Sequence, residues 1–148
     1  MISSLKQIKD ILKEAGLRPT YQRIRIIETI YKYRYEHPSV ETIYNELKNE
    51  LPIISMTTVY NTMNAMLNKK LLQALTITGI DTHYDPNLSL HHHFYCNNCH
   101  KIYDIKIKCP FGNEKKKTIE GHKIDEVHGY FKGICKNCLE TTKKETKE

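Results

Sequence analysis

The sequence predicts an α+β chain of two parts: an N-terminal winged helix-turn-helix, then a smaller α+β module rich in metal ligands. Three observations predict this. Four segments with apolar residues at helical spacing precede two short β-prone runs joined at a glycine. All five cysteines and every histidine except His37 lie beyond residue 80. At 148 residues the chain accommodates one or two small domains and leaves no room for a large multidomain enzyme.

The elements follow in order. Leu5, Ile8, Leu12 and Ala15 recur at helical spacing, and Gly16 suits the residue after a helix end. Pro19-Thr20 opens a second helix whose face is Ile24, Ile27 and Ile30-Tyr31. Pro38-Ser39 opens a third, striped by Val40, Ile43, Tyr44 and Leu47. Ser55 caps a fourth with Val59, Met63, Met66 and Leu67 inward. Residues 71–77 and 82–84 then flank Thr78-Gly79-Ile80-Asp81 as a hairpin, which is the wing. These elements make residues 1–85 a winged-helix domain, with 86–90 as hinge. In the second module, 91–140, strands are expected at Phe94-Tyr95, at 102–105 and within 124–134, with a short helix across 110–120. The polar residues 141–148 are expected to be a disordered tail.

Lys plus Arg number 23 against 17 Asp plus Glu, a net charge of +6 that favours an anionic partner. No apolar run approaches the roughly 18 residues a membrane span needs. The N-terminus lacks a signal-peptide core, so the expected compartment is the cytoplasm.

In a winged helix the fourth helix enters the major groove with its N-terminal end first. Its outward positions are Thr57, Thr58, Tyr60, Asn61 and Asn64, all able to hydrogen-bond to phosphates or base edges. Arg18, Gln22, Arg23, Lys69 and Lys70 would supply phosphate contacts. The bland alternative is a solvated polar helix face.

Two CxxC motifs, Cys96-Asn-Asn-Cys99 and Cys135-Lys-Asn-Cys138, have the composition of a four-thiolate structural zinc site. Disulfides, or a thioredoxin-like CxxC, are the competing readings. Cys109 is left over as a plain thiol. Just upstream, strand alternation puts His91 and His93 on one face and His92 on the other. With Asp85, Asp104 and His37 they form a set of three imidazoles and two carboxylates suited to Fe²⁺, Mn²⁺ or Zn²⁺. Local spacing does not bring His37 to this group, and a surface histidine cluster is the alternative.

The motifs Pro19-Thr20-Tyr21-Gln22-Arg23, His37-Pro38, Ser55 to Tyr60, His91 to Cys99 and Cys135 to Cys138 resemble the ferric uptake regulator (Fur) superfamily. They are most similar to its peroxide-stress repressor (PerR) branch. The resemblance runs from about Leu5 to Leu139. It implies a homodimer whose C-terminal part is a small α/β dimerisation domain, and it adds Tyr21 to the DNA-contacting set. It implies structural Zn²⁺ on Cys96, Cys99, Cys135 and Cys138, and sensory Fe²⁺ or Mn²⁺ on His37, Asp85, His91, His93 and Asp104. It further implies repression at a palindromic, AT-rich double-stranded operator. In the peroxide branch, iron-catalysed oxidation of His37 or His91 would release the metal and the DNA. Asp104, where iron-responsive members more often carry Glu, favours that branch; an iron- or zinc-responsive repressor of metal uptake genes is the alternative. A further site known in relatives would need ligands where Leu90 and Phe111 stand, leaving His92 and His128 as remnants, and is expected to be absent. His83, His100 and His122 receive no role.

Other classes fit less well. A metalloenzyme needs an open coordination position and a poised base, and five protein ligands leave little room. A zinc-dependent interaction module would show no salt-sensitive DNA affinity. The chain is therefore expected not to be an enzyme.

Overall fold

The computed structural model describes residues 4–77, 79, 81–107, 118–124, 127 and 129–145. The chain forms two compact units, Met1–Leu88 and Ser89–Glu148.

The first unit holds four helices and a hairpin. Helix α1 (Leu5–Glu14) starts on a capping box, in which Ser4 and Gln7 each bond the other's backbone N–H. It ends as Gly16 turns left-handed at φ 72° and the Leu17 N–H reaches the Leu12 carbonyl at 2.7 Å. Helices α2 (Tyr21–Lys32), α3 (Val40–Leu47) and α4 (Met56–Asn68) are capped by Thr20, Ser39 and Ser55. Each cap accepts from the amide three residues on, satisfying a donor the helix itself leaves over. Their apolar stripes meet in one core, where Leu12, Ile26, Ile30, Ile43, Leu47, Val59 and Met63 are fully buried. Two positions depart from the expected stripes. Ile26 is in the core, because α2 is covered on more than one side. Leu5 is 49% exposed, because in the first turn of α1 it opens onto a shallow cleft beside Tyr21.

The expected wing is present. Strand β1 (Gln73–Leu75) pairs antiparallel with β2 (His83–Asp85), with Gln73 opposite Asp85. Thr78 and Ile80 of its turn lie outside the described residues.

The second unit is built on β3 (His92–Cys96), the middle strand of a three-stranded sheet. Strand β4 (Ile102–Ile105) runs antiparallel on one side. A two-residue pair follows, β5 (Thr118–Ile119) with β6 (His122–Lys123), turning at Glu120-Gly121. Strand β7 (Tyr130–Gly133) lies parallel to β3 on its other side. Helix α5 (Lys136–Glu145) closes the chain.

Three expectations change here. The helix expected across 110–120 is not seen in its described part, since Thr118–Ile119 is strand; 110–117, with Phe111, lie outside the described residues, as do Cys109 and His128. Among the described residues the late strand runs Tyr130–Gly133. The segment expected as a disordered tail is helical as far as Glu145, with 146–148 outside the described residues. The reason is local: the second CxxC turn starts the helix, with Leu139 N–H on the Cys135 carbonyl at 3.0 Å. A polar segment then only has to extend an existing turn, which avoids the unfavourable nucleation step. No described helix is long and apolar enough to cross a membrane.

Candidate metal centres and nucleic-acid interface

The sheet of the second unit sorts two donor sets by parity. Register puts His93 opposite Asp104 and Phe94 opposite Tyr103. His93 and Asp104 therefore share one face, while Phe94, Cys96 and Tyr103 share the other.

On the second face the two CxxC turns converge. The Sγ atoms of Cys96, Cys99, Cys135 and Cys138 all lie within 4.8 Å of one another, and none of the four forms a disulfide. Cys96 to Cys138 is 3.9 Å and Cys99 to Cys135 is 3.7 Å, too far for a disulfide. Neither competing reading accounts for both motifs meeting at one point; four thiolates at this spacing suit a tetrahedral ion of the zinc type. Burial pushes the Cys96 thiol up, but the Cys99, Cys135 and Asn98 amides outweigh it and hold it down at about 6. The Tyr103 hydroxyl lowers Cys135 in the same sense. Asn98 pulls Cys138 down, yet Cys135, burial and the other sulfurs leave it up at about 11. Cys96 and Cys138 are thus pulled in opposite senses, and a dication held among the four sulfurs would favour the thiolate form of each.

On the first face, donor atoms of His91, His93 and Asp104 lie within 4.8 Å of one another. The His91 and His93 Nε2 atoms stand 3.4 and 3.7 Å from Asp104 Oδ1. His91 Nδ1 donates to the Ser89 carbonyl at 2.7 Å, which fixes the tautomer and makes Nε2 the nitrogen with a lone pair to offer a metal. His92 points the other way. It is buried against Phe131 and the Gly129 carbonyl, and a Cβ at Gly129 would come within 2.7 Å of its ring. It is packing.

In the first unit, His37 and Asp85 are both buried, with donor atoms within 4.8 Å of each other. His37 has φ 52°, a left-handed conformation that costs an L-residue about 1–2 kcal/mol. The wing holds it there. His83 Nδ1 donates to the His37 carbonyl at 2.7 Å, and the Tyr84 N–H reaches the Pro38 carbonyl at 3.1 Å. Asp85 is oriented by Gln73 Nε2 at 2.9 Å and by the Asn87 N–H at 2.7 Å. Sequence reasoning missed His83, Gln73, Asn87, Ser89 and Tyr103. None has ligand spacing, because each acts through the fold.

The proposed DNA-contacting residues lie on α2 and α4 of the first unit and beside them, Arg18 just before α2 and Lys69 and Lys70 just after α4. Along α4, Thr57, Tyr60 and Asn61 are exposed, with Asn64 partly so. Thr58 is half-buried and its hydroxyl meets Ser55 Oγ at 2.9 Å, so it belongs to the helix cap. Arg18 and Tyr21 are exposed, while Gln22 and Arg23 are half-buried. Arg23 Nη1 donates to the Arg18 carbonyl at 3.1 Å, which orients its guanidinium. Lys69 and Lys70 are exposed, with Lys69 Nζ reaching the C-terminal turn of α1 near Gly16.

The model of the ferric uptake regulator family matches residues 14–132. The chain belongs to the ferric uptake regulator family. It is thereby a metal-dependent repressor, a transcription regulator and not an enzyme. Similar proteins within the Fur family include the peroxide operon regulator of Bacillus subtilis, 32% identical over 90% of this chain and 92% of that protein. The peroxide-responsive repressor PerR of Staphylococcus aureus is 30% identical over 86% of each. Among solved structures, Vibrio cholerae Fur matches at TM-score 0.70 with 22% identity, over 86% of this chain and 98% of that one. The Campylobacter jejuni peroxide stress regulator matches at TM-score 0.63 with 26% identity, over 93% of this chain and all of that one. The expected winged-helix and α/β architecture is thus the Fur fold.

Proposed function

We propose that this protein is a homodimeric repressor that binds a palindromic operator when loaded with Fe²⁺ or Mn²⁺ and releases it when peroxide oxidises His37 or His91. The observation that carries the reading is the donor set: three imidazoles and two carboxylates, split as His37 and Asp85 in one unit and His91, His93 and Asp104 in the other. Two or three donors hold a hard dication weakly; five hold it well. A site needing both units would favour one arrangement of the winged helices on DNA, which is a population shift driven by coordination. Zn²⁺ on Cys96, Cys99, Cys135 and Cys138 would be structural.

Iron, when bound, supplies one-electron chemistry with peroxide that manganese does not. The chain contributes the imidazoles. Oxygen added to the ring of His37 or His91 withdraws its nitrogen as a donor and leaves the site short of ligands. Identity to two proteins named as peroxide regulators supports this branch, and so does Asp104.

For the dimer, β7 is an edge strand with Tyr130 and Phe131 half-exposed, an apolar edge that a second copy would cover.

His37→Ala tests the reading. Expected are an intact zinc content and a loss of Mn²⁺-activated operator binding in a fluorescence anisotropy titration. A variant still activated by Mn²⁺ would overturn the shared site.

A further inference from the structure

Tyr103 lies on β4 at the position whose parity faces the cysteines, next to Asp104, whose parity faces the histidines. Its hydroxyl donates to Cys135 Sγ at 3.5 Å and stands 4.0 Å from Cys99 Sγ. The other buried sulfur, Cys96, accepts from the Cys135 N–H at 3.3 Å and the Cys99 N–H at 3.5 Å. Tyr103 is therefore the side-chain hydroxyl, among the described residues, directed at the cluster.

We propose that Tyr103 is a positioning residue for the four-cysteine site, whose O–H donates to the Cys135 thiolate, slows its reaction with electrophiles and so retains the metal. The inference rests on the zinc reading above. The physical basis is simple. A thiolate attacks through its sulfur lone pair, and a hydrogen bond to that pair lowers its energy and its nucleophilicity. Donors outside the ligand set typically change metal affinity 10–100-fold. The consequence is chemical selectivity. The site with the oxidisable imidazoles and the site with the thiolates are on opposite faces of one strand pair, and a hydroxyl that quiets the sulfurs would leave the histidines as the reactive side.

Zinc content of the wild-type full-length protein is measured first by mass spectrometry of the metal; absent zinc would mean that the zinc reading itself fails. With zinc present, N-ethylmaleimide is added and zinc release is followed with a colorimetric chelator for wild type, Tyr103→Phe and Tyr103→Leu. Alkylation forms a carbon–sulfur bond as the maleimide C=C π bond breaks, the neighbouring carbon takes a proton from water, and the resulting thioether is a poor ligand. Release about tenfold faster in both variants is expected. Fast release in Tyr103→Leu alone would make Tyr103 a packing residue and overturn the proposal, as would wild-type rates in both. A second readout does not depend on stability. In the Co²⁺-substituted protein, Tyr103→Phe should move the sulfur-to-metal charge-transfer band to lower energy, because the sulfur donor level rises. An unmoved band would contradict the hydrogen bond.

Discussion

At the scale of the residue, His37 shows how a proposed ligand is set by the backbone around it. Its φ of 52° is unfavourable for an L-residue, and the hairpin holds it through His83 and Tyr84. His83→Ala should therefore weaken Mn²⁺-activated operator binding by about tenfold while leaving zinc in place, read as a shifted Mn²⁺ midpoint. An unmoved midpoint would show that the carbonyl bond does not position His37. Replacing His37 itself separates ligation from strain. His37→Gly and His37→Ala should both lose activation, with the glycine variant the more stable by about 1 kcal/mol in thermal melts. On the outer surface, Tyr60→Ala should lower operator affinity about tenfold with metal content unchanged, Tyr60 being half-exposed on α4. Equal affinity in a gel shift would remove Tyr60 from the interface. The ligand residue types were legible in the sequence because His and Cys are scarce and clustered. Their supporting groups were not. His83, Gln73 and Tyr103 become partners only through strand register, which no local spacing encodes.

At the scale of the element, caps and apolar stripes did most of the folding, and both were readable. Ser55 is the clearest case: it accepts from the Thr58 N–H at 3.0 Å and thereby fixes where α4 begins. Ser55→Ala should cost about 1 kcal/mol of stability. Its effect on DNA affinity should exceed that of an equally destabilising core change, such as Ile43→Val, because Ser55 fixes the start of the helix proposed to present Thr57, Tyr60 and Asn61 to DNA. Matching losses of affinity in the two variants would deny α4 that role. The second unit was harder to read. Strands of two to five residues leave periodicity little room to register, and β7 pairs with β3 across a long sequence separation. The helical character of 141–145 was hidden for another reason. Composition reports average polarity, whereas α5 owes its start to the Cys135–Cys138 turn.

At the scale of the whole molecule, the division into two units, Met1–Leu88 and Ser89–Glu148, separates the helices proposed to contact DNA from the cysteine cluster. Cys96→Ser should therefore unfold the second unit and abolish dimers. A folded, dimeric, zinc-replete variant would contradict the structural role. The proposed ligands fall in both units, so the proposed response to peroxide would be a property of the entire chain. The most direct test is peptide mass spectrometry on Fe²⁺-loaded protein given about one equivalent of hydrogen peroxide, beside a Mn²⁺-loaded control. One added oxygen on the His37 or His91 peptide, with iron only, is the predicted result. Unmodified histidines in a protein shown to carry iron would contradict peroxide sensing and make the same fold a reporter of metal supply.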